Sequence, residues 1–106
     1  MDFNVVITDR AQDDIDENTL FIATDSPNMA AKWKNELESL ILALSSMPTR
    51  FPSLPESSKL EQTYRSAAHY SHRVVFRIDE TTNTVFIVRV YHGARKPLAQ
   101  ADVDQA

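Results

Sequence analysis

The chain has 106 residues, 42% apolar and 25% charged, and a net charge of −4. That length and balance predict one globular domain over residues 1–106, with a core of its own. Cysteine is absent and glycine occurs once, at Gly93, which excludes disulfide frameworks, thiolate metal sites, cysteine nucleophiles and the glycine-rich phosphate loops. No apolar run approaches the ~18 residues of a membrane span. Met1-Asp2-Phe3-Asn4 carries no basic signal region, so a cytoplasmic protein with no membrane partner is expected.

Residues 3–8 (FNVVIT) are short and β-branched and predict a strand. A helix start follows at Thr8-Asp9. Asp9 and Gln12 have capping-box spacing, and Asp13, Asp14, Asp16 and Glu17 crowd the positive end of the helix dipole. Ala11, Ile15, Asn18 and Ile22 fall on one face, joined by Leu20 and Phe21, with the end near Thr24. Ser26-Pro27 is a second start, with serine as cap and proline in the first turn. The series Ala30, Trp33, Leu37, Leu40, Ile41, Leu44 and Met47 keeps helical spacing and makes Trp33 a core residue. Residues 47–62 carry Pro48, Pro52 and Pro55 and read as a loop.

Three strands are then expected, at 63–70, 72–79 and 84–92. In the second, Val74, Phe76 and Ile78 alternate with Arg73, Val75 and Arg77. The third is apolar on both faces, as a central strand is. Residues 99–106 read as a short helix or frayed tail. The order β-α-α-β-β-β predicts an α+β two-layer sandwich, with a helical hairpin on one face of a mainly antiparallel sheet. By parity, Arg73 and Arg77 lie on the other face, which is left free for a partner or solvent.

The charge is uneven. Residues 63–96 hold Arg65, Arg73, Arg77, Arg89, Arg95 and Lys96 against Asp79 and Glu80. An acidic chain is a poor general binder of nucleic acid, so direct DNA binding is not expected. His69 and His72 are three apart, which does not put both on one strand face, and no metal site is expected. Nor is any cofactor. Phosphate chemistry remains open, because guanidinium groups match phosphate oxygens and histidine exchanges protons near neutral pH. Arg65, Arg73, His92 and Arg95 are the candidate catalytic set. Arg89 is expected to pair with an acid or to pack its stem on the sheet.

Several stretches together resemble the RelE/ParE superfamily of bacterial toxins from type II toxin–antitoxin systems. They are TDRAQDDIDENTLFI, SPNMAAKW to LILAL, MPTRFPSLPE, Tyr64-Arg65, HRVVFRID and VFIVRVYHGARKPL. The resemblance covers about residues 3–98, and the HGAR ending and acidic helices are closer to the ParE branch. It implies a growth-inhibiting, plasmid-stabilising toxin neutralised by a cognate antitoxin. ParE-like members poison DNA gyrase and are not enzymes. RelE-like members cut mRNA on the ribosome, and there Arg65, Arg73, His92 and Arg95 would be catalytic. A non-toxic relative that survives as an antitoxin-binding module is the third possibility. In every case Arg65, Arg73, Arg77 and Arg95, with an open sheet edge, are the expected antitoxin or target contacts.

Overall fold

The computed structural model describes residues 2–93 and 97–104. Strand β1 (Asn4–Ile7) leads into helix α1 (Asp9–Asp25), and α2 (Pro27–Ala43) folds back beside it. Strands β2 (Arg65–His69), β3 (His72–Asp79) and β4 (Thr84–His92) follow, and a one-turn helix α3 (Gln100–Val103) ends the described chain. The sheet order is β1-β4-β3-β2, with β1 parallel to β4 and the other pairs antiparallel. This is the expected α+β sandwich, with β4 central.

Helix α1 starts one residue earlier than the Asp9–Gln12 spacing predicts. Thr8 is the cap, its Oγ1 accepting from the Ala11 amide at 3.3 Å and donating to the Ile87 carbonyl at 2.8 Å. The Thr8 amide also donates to Ile87 O. Tying Thr8 to β4 fixes where the chain leaves the sheet, so the helix begins there. Gln12 reaches forward to Asp16 instead of back. Ser26 caps α2 as expected, accepting from the Met29 amide, with Pro27 in the first turn.

Ala11 and Ile15 of α1 meet Trp33, Leu37, Ile41 and Leu44 of α2 over Ala67, Val74, Phe76, Val85, Ile87 and Val90 of the sheet. Burying each large aliphatic side chain there stabilises by about 1.5–3 kcal/mol. Leu20 and Phe21 are not part of this face. They lie off the Ala11–Ile22 stripe and stay 71% and 73% exposed. The α2 stripe also stops short of Met47. The helix ends at Ala43, and Met47 is exposed in a left-handed conformation, φ 48°.

A bulge interrupts β3–β4. Val75 is opposite Arg89 but Phe76 is opposite Ile87, so Val88 is the extra residue. The helix-facing set therefore switches from Val85 and Ile87 before the bulge to Val90 after it. Residues 47–62 are less loop-like than expected, forming 3-10 turns at Pro48–Arg50 and Pro55–Lys59.

The far face of the sheet is not free. Leu54 and Tyr64 from the proline-rich segment and Leu98 and Val103 from the tail cover Val75, Val88 and Tyr91. The Leu98 amide donates to Glu56 and the Glu61 amide to Gln100. The tail is docked, because its two apolar residues complete a second small core.

Candidate functional site

Strand register decides which candidates can act together. Arg65 is opposite Phe76, and His92 is opposite His72. Phe76 and His72 both face the helices, so Arg65 and His92 lie on the covered side. They are carried four residues apart along β3, roughly 13 Å. The Arg65 guanidinium is spent on the chain itself, donating to the Phe51 carbonyl at 2.6 Å. Arg73 and Arg77 lie on the far face with Val75, as parity predicts. Arg73 donates to the Tyr91 hydroxyl at 3.2 Å, and Arg77 stacks over the Phe86 ring at 4.2 Å. Both are half-buried. Arg95 lies outside the described residues. The fold thus brings Arg73 and Arg77 to one face and separates them from Arg65 and His92.

Arg89 finds its acid. Strand β1 stops at Ile7, which leaves the β4 edge beyond Ile87 without a neighbouring strand. Asp14 of α1 fills that gap. Its Oδ2 accepts from the Val90 amide at 2.9 Å and from Arg89 Nε at 2.7 Å, and Oδ1 accepts from Nη2 at 3.2 Å. Arg89 Nη1 donates to the Asp102 carbonyl of α3. Burial works against the Arg89 charge, but the hydrogen bonds and charge of Asp14 outweigh it and raise its pKa. One ion pair therefore ties α1, β4 and the tail together.

The histidines are arranged differently from the expectation. His69 and His72 close the β2–β3 hairpin around Tyr70-Ser71 and are directly opposite, on one face. With His92 they make a cross-strand row at the top of the sheet. The 69–72 spacing misleads because the residues sit on two strands, not one. His69 Nε2 donates to the Trp33 carbonyl at 2.9 Å, and Trp33 packs on both rings at 5.1–5.4 Å. The Asn18 amide is oriented by donating to the Asp14 carbonyl, so its Oδ1 accepts from His72 Nε2 at 3.0 Å. That leaves His72 Nδ1 as a buried acceptor without a partner among the described residues. No group of three or more metal-ligating side chains occurs among the described residues.

Beside this row is a pocket of about 440 Å³, between α1, the start of α2 and the hairpin turn. Its lining is Asn18, Phe21, Ile22, Met29, Trp33, Tyr70, Ser71, His72 and His92. It has no local sequence signature, since the lining comes from four separated stretches. The position of Phe21, an aromatic residue off the Ala11–Ile22 spacing, is the one sequence signal that bears on it.

Burial first, then the charges of His92 and His69, lowers the His72 pKa below its ordinary 6.5. The unfolded chain then binds a proton that the folded chain resists. This share of stability is complete above about pH 6.5 and is lost as pH falls through the unfolded value toward the lower folded one. The urea midpoint should drop between about pH 7.5 and 5.5, and drop less in His72→Gln. An equal drop in the variant would assign the acid sensitivity to other groups.

A parallel first and last strand, a helical hairpin on one face and an antiparallel β2-β3-β4 meander is the architecture of the RelE/ParE toxin superfamily. Within it, the profile of the ParE toxin of type II toxin–antitoxin systems matches residues 5–97, and the chain belongs to that family. The fold is similar to a chain in the crystal structure of the RelBE2 toxin–antitoxin complex from Mycobacterium tuberculosis. The two share 26% identity at a TM-score of 0.61, over 87% of this chain and 99% of that one. No curated protein matches the chain. No helix among the described residues is long and apolar enough to cross a membrane.

Proposed function

We propose that this toxin acts by binding a protein target, DNA gyrase, in the cytoplasm, that it is not a nuclease, and that a cognate antitoxin holds it inactive. The observation that carries the reading is the separation of Arg65, Arg73 and His92, the candidate catalytic residues among those described. RNA cleavage needs a base, an acid and a cation converging on one phosphate within hydrogen-bond reach. Here Arg65 is committed to a loop carbonyl, Arg73 lies on the opposite face, and His92 packs edge-on against the half-buried His72. Arg73 and Arg77 instead lie on the far face, four residues apart on either side of the covered Val75, and each offers a cationic contact to an acidic antitoxin or target segment.

Two reactions run side by side test this. Purified protein should block supercoiling by purified gyrase and leave mRNA intact in a reconstituted translation mixture. Arg73→Ala should weaken gyrase inhibition only partly, as the loss of one contact would. Ribosome-dependent mRNA cuts that vanish in Arg73→Ala and His92→Ala, with gyrase unaffected, would overturn the reading in favour of the RelE-like mechanism.

A further inference from the structure

We propose that the pocket at the open end of the helical hairpin, with the Leu20–Phe21 ridge at its rim, docks a basic amphipathic segment of a partner protein through an apolar anchor side chain. This holds whichever macromolecule the toxin attacks. Leu20 and Phe21 are adjacent, large and more than two-thirds exposed, and Met29 and Tyr70 beside them are 37% and 51% exposed. Such a cluster is unfavourable in water and marks an interaction site when it borders a cavity. The pocket volume is within the range of preformed ligand sites and admits an aromatic or branched side chain. Its wall is rigid. Trp33 is 2% exposed and held by its contacts with His69 and His72. The Nε1 of Trp33 is a second buried polar atom without a partner among the described residues.

Charge identifies the occupant. Asp13, Asp16 and Glu17 precede the ridge at helical spacing and Asp25 follows it, and all four are exposed. Arg10 is the only cation of α1. On α2, Lys32 and Lys34 are matched at i+4 spacing by Glu36 and Glu38, and Glu36 accepts from the Tyr70 hydroxyl. An apolar anchor flanked by lysine or arginine matches this field. An acidic peptide does not. A second copy of the chain is disfavoured too, because two α1 helices meeting at Phe21 would oppose carboxylates. The pocket lies on the helix side and Arg73 and Arg77 on the far side. Two segments of opposite charge can therefore occupy the molecule at once.

Trp33 is the only tryptophan, so its fluorescence reports on the pocket in the full chain. The probes are two synthetic helical peptides of about 15 residues with the same leucine and phenylalanine anchors, one flanked by lysine and arginine and one by glutamate. The basic peptide should give a saturable shift in emission and bind at least about tenfold more tightly than the acidic one. Phe21→Ser and Glu17→Lys, both at exposed positions, should each weaken it about fivefold or more. No saturation, equal binding of both peptides, or indifference to Phe21→Ser would overturn the proposal. So would reversible dimerisation in sedimentation that Phe21→Ser abolishes, since the occupant would then be a second copy.

Discussion

Asp14→Ala should destabilise the protein by about 3–5 kcal/mol, the usual result of removing one partner from a buried ion pair. The Arg89 side chain is 4% exposed and that of Asp14 is 9% exposed, so neither charge is relieved by water. Removing Asp14 strands the guanidinium and also orphans the Val90 amide that the same carboxylate accepts. Asp102 compensates only in part, because it serves Nη1 alone, through its carbonyl at 3.2 Å and its carboxylate at 3.8 Å, and leaves Nε and Nη2 without the acceptor that Asp14 supplies. The double variant Asp14→Leu with Arg89→Met should recover most of the loss, because it removes both charges and fills the same space. Urea unfolding of the three proteins checks this. A cost for Asp14→Ala below about 1 kcal/mol would mean the pair behaves like an exposed one.

Trp33→Ala should cost a further large amount, about 3–5 kcal/mol, by emptying the top of the main core. The indole touches two histidine rings, and its backbone carbonyl anchors the β2–β3 hairpin through His69. The loss comes from a cavity that the hairpin, pinned at both ends, cannot collapse to fill. Trp33→Phe should cost clearly less, since it keeps an aromatic ring against His69 and His72. Thermal unfolding separates the two variants. Equal losses would mean that a phenyl ring does not fill the space the indole fills against His69 and His72.

The elements that are periodic were legible in the sequence, and those that depend on register were not. Alternation in residues 72–79 locates β3, and Ser26-Pro27 locates the start of α2, to the residue, because local spacing and capping decide both, whereas the apolar series overruns the end of α2 at Ala43. The cover on the far face had no such signal. Leu54, Tyr64, Leu98 and Val103 are isolated apolar residues in proline-rich or tail segments, and only the folded chain collects them. The partner of Arg89 is likewise invisible locally, being 75 residues away. The histidine row was in principle readable, since a hairpin closing at Tyr70-Ser71 must oppose residues 69 and 72. Leu20 and Phe21 have the chemistry of core residues but a spacing that points outward, and spacing decides. For the candidate site, the residue types were legible, but the faces that carry them follow from cross-strand pairing and from one bulge.

The parallel pairing of β1 with β4 has a consequence for biogenesis. Asn4 is opposite Thr84, so the first strand to leave the ribosome waits for the last. Without β4 the remaining strands have no centre, and the helical hairpin has only a fragment of sheet to cover. Long-range closure of this kind slows folding and makes partial chains poor folders. Synthesis of β4 is therefore the point at which the sheet can close, and a chain that stops before Thr84 lacks both the strand between β1 and β3 and the only partner of β1 among the described residues.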